Sequence, residues 1–429
     1  MKAGRTAMAL ASATAAGQAL SASPPHQVVT GPVAVYWMSA STTSGFGMGG
    51  GGGGGGRPDS RAMMAMALGR GPDTNSANHS LILQLGSSRT PQGGPPAAEH
   101  DPPEGLGAGP VLPLATPHPQ AAPAYQEQEA GPPPQYRQPH GRMLIFWGCG
   151  EHAGPGQPYV IDFANAAAGG GGTQFMALTR GLNVAPMQPP SPTRNTTYGE
   201  WPNQESRTQL GPNASLRGAH VVKGDYSPEM HFALDANQDF LPPFQLTANE
   251  KMASGANNLA WRPIDGAKGY YATMIGGQGR GQDEAEVVMW TSSAAQASAF
   301  GLPDYLSNHE IERLTAQHVL MPAEQTQCAI PAEAVAAVGR GGFFNLIGYG
   351  GESNLSWPPR PPAPQPWNIA WEVKLRYRAQ TSGIVGMDMA RMMGGRGGGG
   401  SGEPDSPQRP PPKRHGLLPP LGLPHSPFP

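Results

Sequence analysis

The stretch Asn258–Gly276 constrains the fold more than any other part of the chain. Leu259 and Trp261 alternate with Ala260 and Arg262, so a strand here has one apolar face. Pro263 interrupts the ladder, and Asp265-Gly266 supplies a turn whose glycine accepts positive φ. After Gly269, Tyr270, Ala272 and Met274 line one face of a second strand, and Tyr271, Thr273 and Ile275 the other. Trp261 and Tyr270 read as core residues of this strand–turn–strand unit.

Composition limits what surrounds it. Of 429 residues, 61 are glycine and 50 proline, a level at which low-complexity segments are expected. Only 14% are charged and the net charge is -2, so no electrostatic case exists for nucleic acid. The N-terminus resembles a secretory signal peptide: Lys2 and Arg5 precede a small, apolar run to Leu20, and Ala19-Leu20-Ser21 fits a cleavage site. No later stretch has the length of apolar sequence needed for a spanning helix.

The chain divides by pattern. Residues 1–21 form the leader, and 22–89 a β-rich segment with strands at Val33–Met38 and Ser80–Leu85, broken by Gly49–Gly56. Residues 90–141 read as a proline-rich linker. Residues 142–218 form a second β-rich segment with strands at Met143–Trp147, Tyr159–Phe163 and Gln174–Leu178, which could pair with the first. Residues 219–380 carry regular strand signals, a helix opened by Ser307 with Glu310 in a capping box, and the amphipathic strand Trp371–Arg378. On that strand, charges on the outer face would protect a sheet edge. Residues 381–429 form a Gly/Met/Pro-rich tail without a core pattern, read as disordered. The fold class is mainly β: a C-terminal sandwich with a short helix, preceded by a smaller β-rich unit.

Chemistry-bearing residues are few. Cys149 and Cys328 could form one disulfide or remain two separate thiols. Cys149, Glu151 and His152 lie on a glycine-flanked turn, where a Cys–His nucleophile would need the imidazole against sulfur. Methionines cluster at Met63, Met64 and Met66 and at Met387, Met389, Met392 and Met393, and thioethers suit Cu(I). Gly276–Gly281 lacks the Lys-Ser/Thr of a phosphate loop, and Arg409–Arg414 reads as a solvated tail more than a polyproline ligand. No catalytic, cofactor or metal site is assigned. Trp290, Trp371 and Tyr377 are aromatics whose exposure would matter, with core packing the expected use.

The pattern Leu259-x-Trp261-x-Pro263, then Gly266-Ala267-x-Gly269-Tyr270, resembles the B–C region of fibronectin type III-like domains. Cys328-Ala329-Ile330-Pro331 is similar to the E-strand exit of some bacterial members. The YWMSAS strand at 36–41, the glycine-methionine stretch and MLIFWGCGE at 143–151 also resemble a group of exported proteobacterial proteins with no known activity. The resemblance implies export to the periplasm or beyond and a type III-like region within 219–380. The expected function is a non-enzymatic envelope protein contacting protein or glycan partners, without a cofactor. The alternatives are a thiol-dependent enzyme using Cys149 and His152, or metal handling by the methionine-rich arms.

Overall fold

The computed structural model describes residues 27–45, 77–117, 140–162, 184–279, 284–295, 302–339 and 341–387. The leader, the Gly49–Gly56 run, Met63–Met66, Gln174–Leu178, Met389–Met393 and Arg409–Arg414 lie outside them.

Strands dominate. The first half contains β1 (Val29–Thr30), β2 (Ala34–Gly45), β3 (Asn78–Ser87), β4 (Ala98–Asp101), β5 (Leu112–Pro113), β6 (His140–Trp147), β7 (Tyr159–Asp162) and β8 (Thr197–Trp201). There follow β9 (Gly218–Gly224), β10 (Ser227–Leu234), β11 (Leu246–Lys251), β12 (Asn257–Trp261), β13 (Gly269–Gly279) and β14 (Glu284–Thr291). Helix α1 (Asn308–Ala316), β15 (Met321–Pro322), β16 (Gln327–Ile330), α2 (Ala332–Val338), β17 (Phe343–Trp357), β18 (Trp367–Asn368) and β19 (Trp371–Ile384) complete the chain order.

One large sheet has the order β7-β6-β14-β13-β17-β19-β2-β3-β8, with β15 paired to β13. Most neighbours are antiparallel, but β6 runs parallel to β14 and β2 parallel to β19. Two smaller sheets, β11-β12-β16 and β10-β9-β4-β5, share a continuous hydrophobic core with it. The first smaller sheet reaches the large one through Trp261, edge-on to Tyr270 at 5.3 Å between ring centroids. The second meets β2, where Tyr36 is edge-on to His100 at 5.6 Å. The result is a multi-sheet β-sandwich architecture. Its opposite face carries a separate core, where α1 places Ile311 and Leu314 against Tyr271, Ile347 and Tyr349.

The strand–turn–strand unit bridges two sheets. Strand β12 pairs with β11 and β16, whereas β13 joins the large sheet, so the two do not pair with each other. Gly266 turns the chain at φ +80°, and the Ile264 N–H donates to the Tyr270 hydroxyl at 3.0 Å. Trp261 is 2% exposed and Tyr270 is fully buried. Trp290, Trp371 and Tyr377 are buried as well.

Several sequence expectations need correction. The partition into 22–89, 142–218 and 219–380 does not correspond to separate sheets, because β2, β3, β6, β7 and β8 all lie in the large sheet with β13, β17 and β19. Strands β9 and β10, placed with the C-terminal sandwich by sequence order, pair instead with each other, and β9 pairs with β4 from the proline-rich segment 90–141. That segment also supplies β5; short edge strands rich in proline leave little periodic signal. Strand β19 is central, between β17 and β2, so its charges do not guard an edge. It also runs on to Ile384, past the expected boundary at 380. The Ser307 cap forms, its hydroxyl accepting from the Glu310 N–H, but the Glu310 carboxylate turns to Arg313 and not back to the cap.

Candidate ligand-binding groove

The even-numbered side chains of β19 lie on the α1 face of the sheet, since Arg378 stands opposite Tyr349 and Gln380 opposite Ile347. Register then sets three rows across β17, β19 and β2: Glu352, Arg376 and Ser39; Asn354, Lys374 and Trp37; Ser356, Glu372 and Val35. Charges on a central strand must be compensated where they are partly covered. Arg378 pairs with Asp304, and Lys374 with Glu352. The Arg376 guanidinium donates to Ser39 Oγ at 2.7 Å and stacks between Tyr305, at 4.4 Å, and Trp37, at 5.1 Å. Burial lowers the Arg376 pKa and raises that of Tyr305. This part of the face is a closed ladder of cations and rings.

Beyond Trp37 the ladder opens into a groove of about 480 Å³. Its floor is the outer rows of β2, β17 and β19, and one bank is the segment 188–195. Pro189 and Pro190 stiffen that bank, and Gln84 ties it to the sheet by donating to the Pro190 carbonyl at 3.4 Å and to the Tyr198 hydroxyl at 3.0 Å. Trp367 forms another wall.

Each indole has a cation over its ring. Lys374 Nζ lies 5.3 Å from the Trp37 ring centroid, and Arg360 lies 5.4 Å from that of Trp367. The Trp367 indole N–H also donates to the Pro358 carbonyl at 2.9 Å. Between them, the side chains of Glu372, Asn354 and Ser356 line the groove. Among the described residues these three make no hydrogen bond or ion pair with the protein. The groove therefore combines aromatic walls with a carboxylate, an amide and a hydroxyl that make no hydrogen bond to the described protein.

Cys149 and Cys328 are joined in a disulfide, one of the two arrangements left open by the sequence. It fastens the turn after β6 to β16. The same turn is held by Gly150 N–H to the Ala329 carbonyl at 3.0 Å and Ala332 N–H to the Glu151 carbonyl at 2.9 Å. His152 is exposed and faces Glu333 at 3.2 Å. The Ala153 N–H, at 2.8 Å, holds the Glu333 carboxyl below its ordinary pKa, with His152 adding to the effect. The alternative of a thiol nucleophile at Cys149 is overturned, since its sulfur is bonded to Cys328. Of the methionine-rich arms, only Met387 is described. No group of three His, Cys, Asp or Glu side chains suited to a metal occurs among the described residues. No described helix is long and apolar enough to cross a membrane.

Sequence reading passed over the groove because its residues come from four distant segments. Trp37 carried one signal, standing out of phase with the buried Tyr36 and Met38. Compared with protein-family models, with curated proteins and with solved structures, the chain matches none.

Proposed function

We propose that the protein is a non-enzymatic, exported carbohydrate-binding protein, and that the groove between Trp37 and Trp367 is its ligand site. The observation that carries this reading is the polar trio Glu372, Asn354 and Ser356, unpaired among the described residues, in a groove walled by two indoles that each carry a cation contact. Sugars present apolar C–H faces to aromatic walls, and paired hydroxyls to carboxylate and amide groups. Side chains held in place before binding reduce the entropy lost on association.

Export is supported by the signal-like N-terminus and by the Cys149–Cys328 disulfide, a bond that persists in oxidising compartments. The type III-like reading of the C-terminal part is supported by strand order. Strands β11, β12 and β16 face β14, β13, β17 and β19, as A, B and E face C, F and G in immunoglobulin-type sandwiches.

A glycan array probed with the intact protein, followed by calorimetry on any hit, tests the proposal. Binding that falls at least about tenfold in both Trp367→Ala and Glu372→Gln supports it, each contact being worth roughly 1.4 kcal/mol or more. Absence of any glycan ligand, or ligands indifferent to both changes, would sink it. Fractionation of the source cell tests export separately; a cytosolic location removes the envelope assignment and leaves the groove untouched.

A further inference from the structure

A chain of buried polar side chains, remote from the groove, joins the four-stranded sheet to the large one. Tyr36 on β2 places its hydroxyl 2.9 Å from His100 Nδ1 on β4. His100 Nε2 lies 2.9 Å from His220 Nδ1 on β9, and His220 Nε2 lies 2.7 Å from the Leu216 carbonyl oxygen. All three side chains are at most 1% exposed. The carbonyl can only accept, so His220 Nε2 carries a proton and, in the neutral ring, Nδ1 accepts. His100 must then donate from Nε2 and accept at Nδ1, and Tyr36 must donate. A single arrangement of protons satisfies every member.

The chain continues into the loop before β9. Leu216 N–H donates to Asp239 Oδ1 at 2.8 Å, Ser215 Oγ to Asp239 Oδ2 at 2.7 Å, and Asp239 pairs with Arg217 at 2.9 Å. His79 on β3 bridges to Leu210 of the same loop through its backbone and stacks on Phe240 at 4.3 Å.

We infer that the Tyr36–His100–His220 chain is a pH-gated latch, and that acidification releases the four-stranded sheet and the 210–217 loop from the large sheet. A proton added anywhere on the chain turns Tyr36 from donor to acceptor and leaves a positive charge in a sealed site. The groups facing it are Tyr36 from β2, Tyr226 from the turn before β10, and the two imidazoles themselves, with Phe232 of β10 stacked on His220. None is a carboxylate. Glu99, Asp101 and Lys223 belong to the same strands but alternate to the opposite face, where Lys223 pairs with both acids. His231 pairs with Glu229 at an exposed site. Asp239 reaches His220 only through the Leu216 peptide and is already matched by Arg217. Around His79 the one facing charge is Asp239, whose pull is outweighed by burial. Burial, and for His100 the neighbouring His220, hold all three histidines below the ordinary imidazole pKa; burial raises Tyr36.

Hydrogen exchange of the full chain at pH 7.5 and 5.0, corrected for intrinsic rates, tests the latch. Protection of residues 98–113 and 210–234 should fall by about tenfold per pH unit below 6.5 for each proton taken up, while β13, β17 and β19 stay protected. Imidazole NMR on the wild type gives a second readout that needs no variant. Unchanged protection at pH 5.0 would overturn the inference. So would His100 and His220 titrating near 6.5 in a molecule that stays fully protected. The double variant His100→Gln, His220→Gln should lose most of the pH dependence; a profile parallel to wild type also overturns the proposal.

Discussion

Lys374 and Trp37 stand directly opposite each other in the parallel pair β19 and β2, with the ammonium 5.3 Å from the indole centroid. The pair joins two regions of the large face: on one side the closed ladder of Arg376, Arg378 and Tyr305, on the other the open groove. Trp37→Leu removes a ring shared by Lys374 and Arg376 and should cost about 1–2 kcal/mol in urea denaturation. Tyr305 still stacks on Arg376 in the variant, so a loss of the whole ladder is not expected. A stability unchanged from wild type would show that the two cations gain nothing from the indole.

Tyr270→Phe isolates one hydrogen bond. The Ile264 N–H is buried and donates to the Tyr270 hydroxyl, so the variant leaves a donor without a partner. A loss of about 1–3 kcal/mol is expected, with the sheet content of the circular dichroism spectrum unchanged. A neutral effect would mean that the turn after β12 relaxes to let water in.

Reduction of the Cys149–Cys328 bond frees a loop spanning 179 residues of sequence separation. Chain entropy then predicts a destabilisation of about 2–5 kcal/mol, seen as a lower urea midpoint with dithiothreitol. Cys149→Ser with Cys328→Ser should reproduce the shift and abolish the effect of the reductant. Thiol labelling of the unreduced protein should give no modified cysteine.

Stability should also depend on pH. His79, His100 and His220 all have folded-state pKa values below that of the unfolded chain. The unfolded state therefore binds more protons below about 6.5, and stability rises with pH through that window. The histidine contribution is fully present above pH 6.5 and is lost as pH falls towards the folded-state values. Urea midpoints measured from pH 8 to 5 should be flat and then decline; a midpoint that rises on acidification contradicts the assignment of these rings as buried and neutral.

Local features of the fold were legible because they are short-range. Trp261, Pro263, Gly266 and Tyr270 specify a strand, a turn and a strand through side-chain alternation and one positive-φ glycine. Ser307 and Glu310 mark a helix start in the same way. Which strand lies beside which was not legible, since the pairing of Trp371 with Ala34, or of Val287 with Met143, has no signature within either segment. The groove was hidden for that reason, being assembled from residues near 37, 190, 355 and 372. Helix α2 escaped too. Its run Ala332–Val338 is short, starts after Pro331 without a side-chain cap, and is held by Val338 packing into the common core.

The parallel register of β2 and β19 has a consequence for the making of the protein. Strand β2 leaves the ribosome long before the strand it pairs with, 337 residues separating Ser39 from Arg376, which are bonded across that register. Until then one edge of β2 is unpaired and sticky, and local contacts cannot substitute for the missing strand. Such a topology rewards keeping the chain extended until both strands are available.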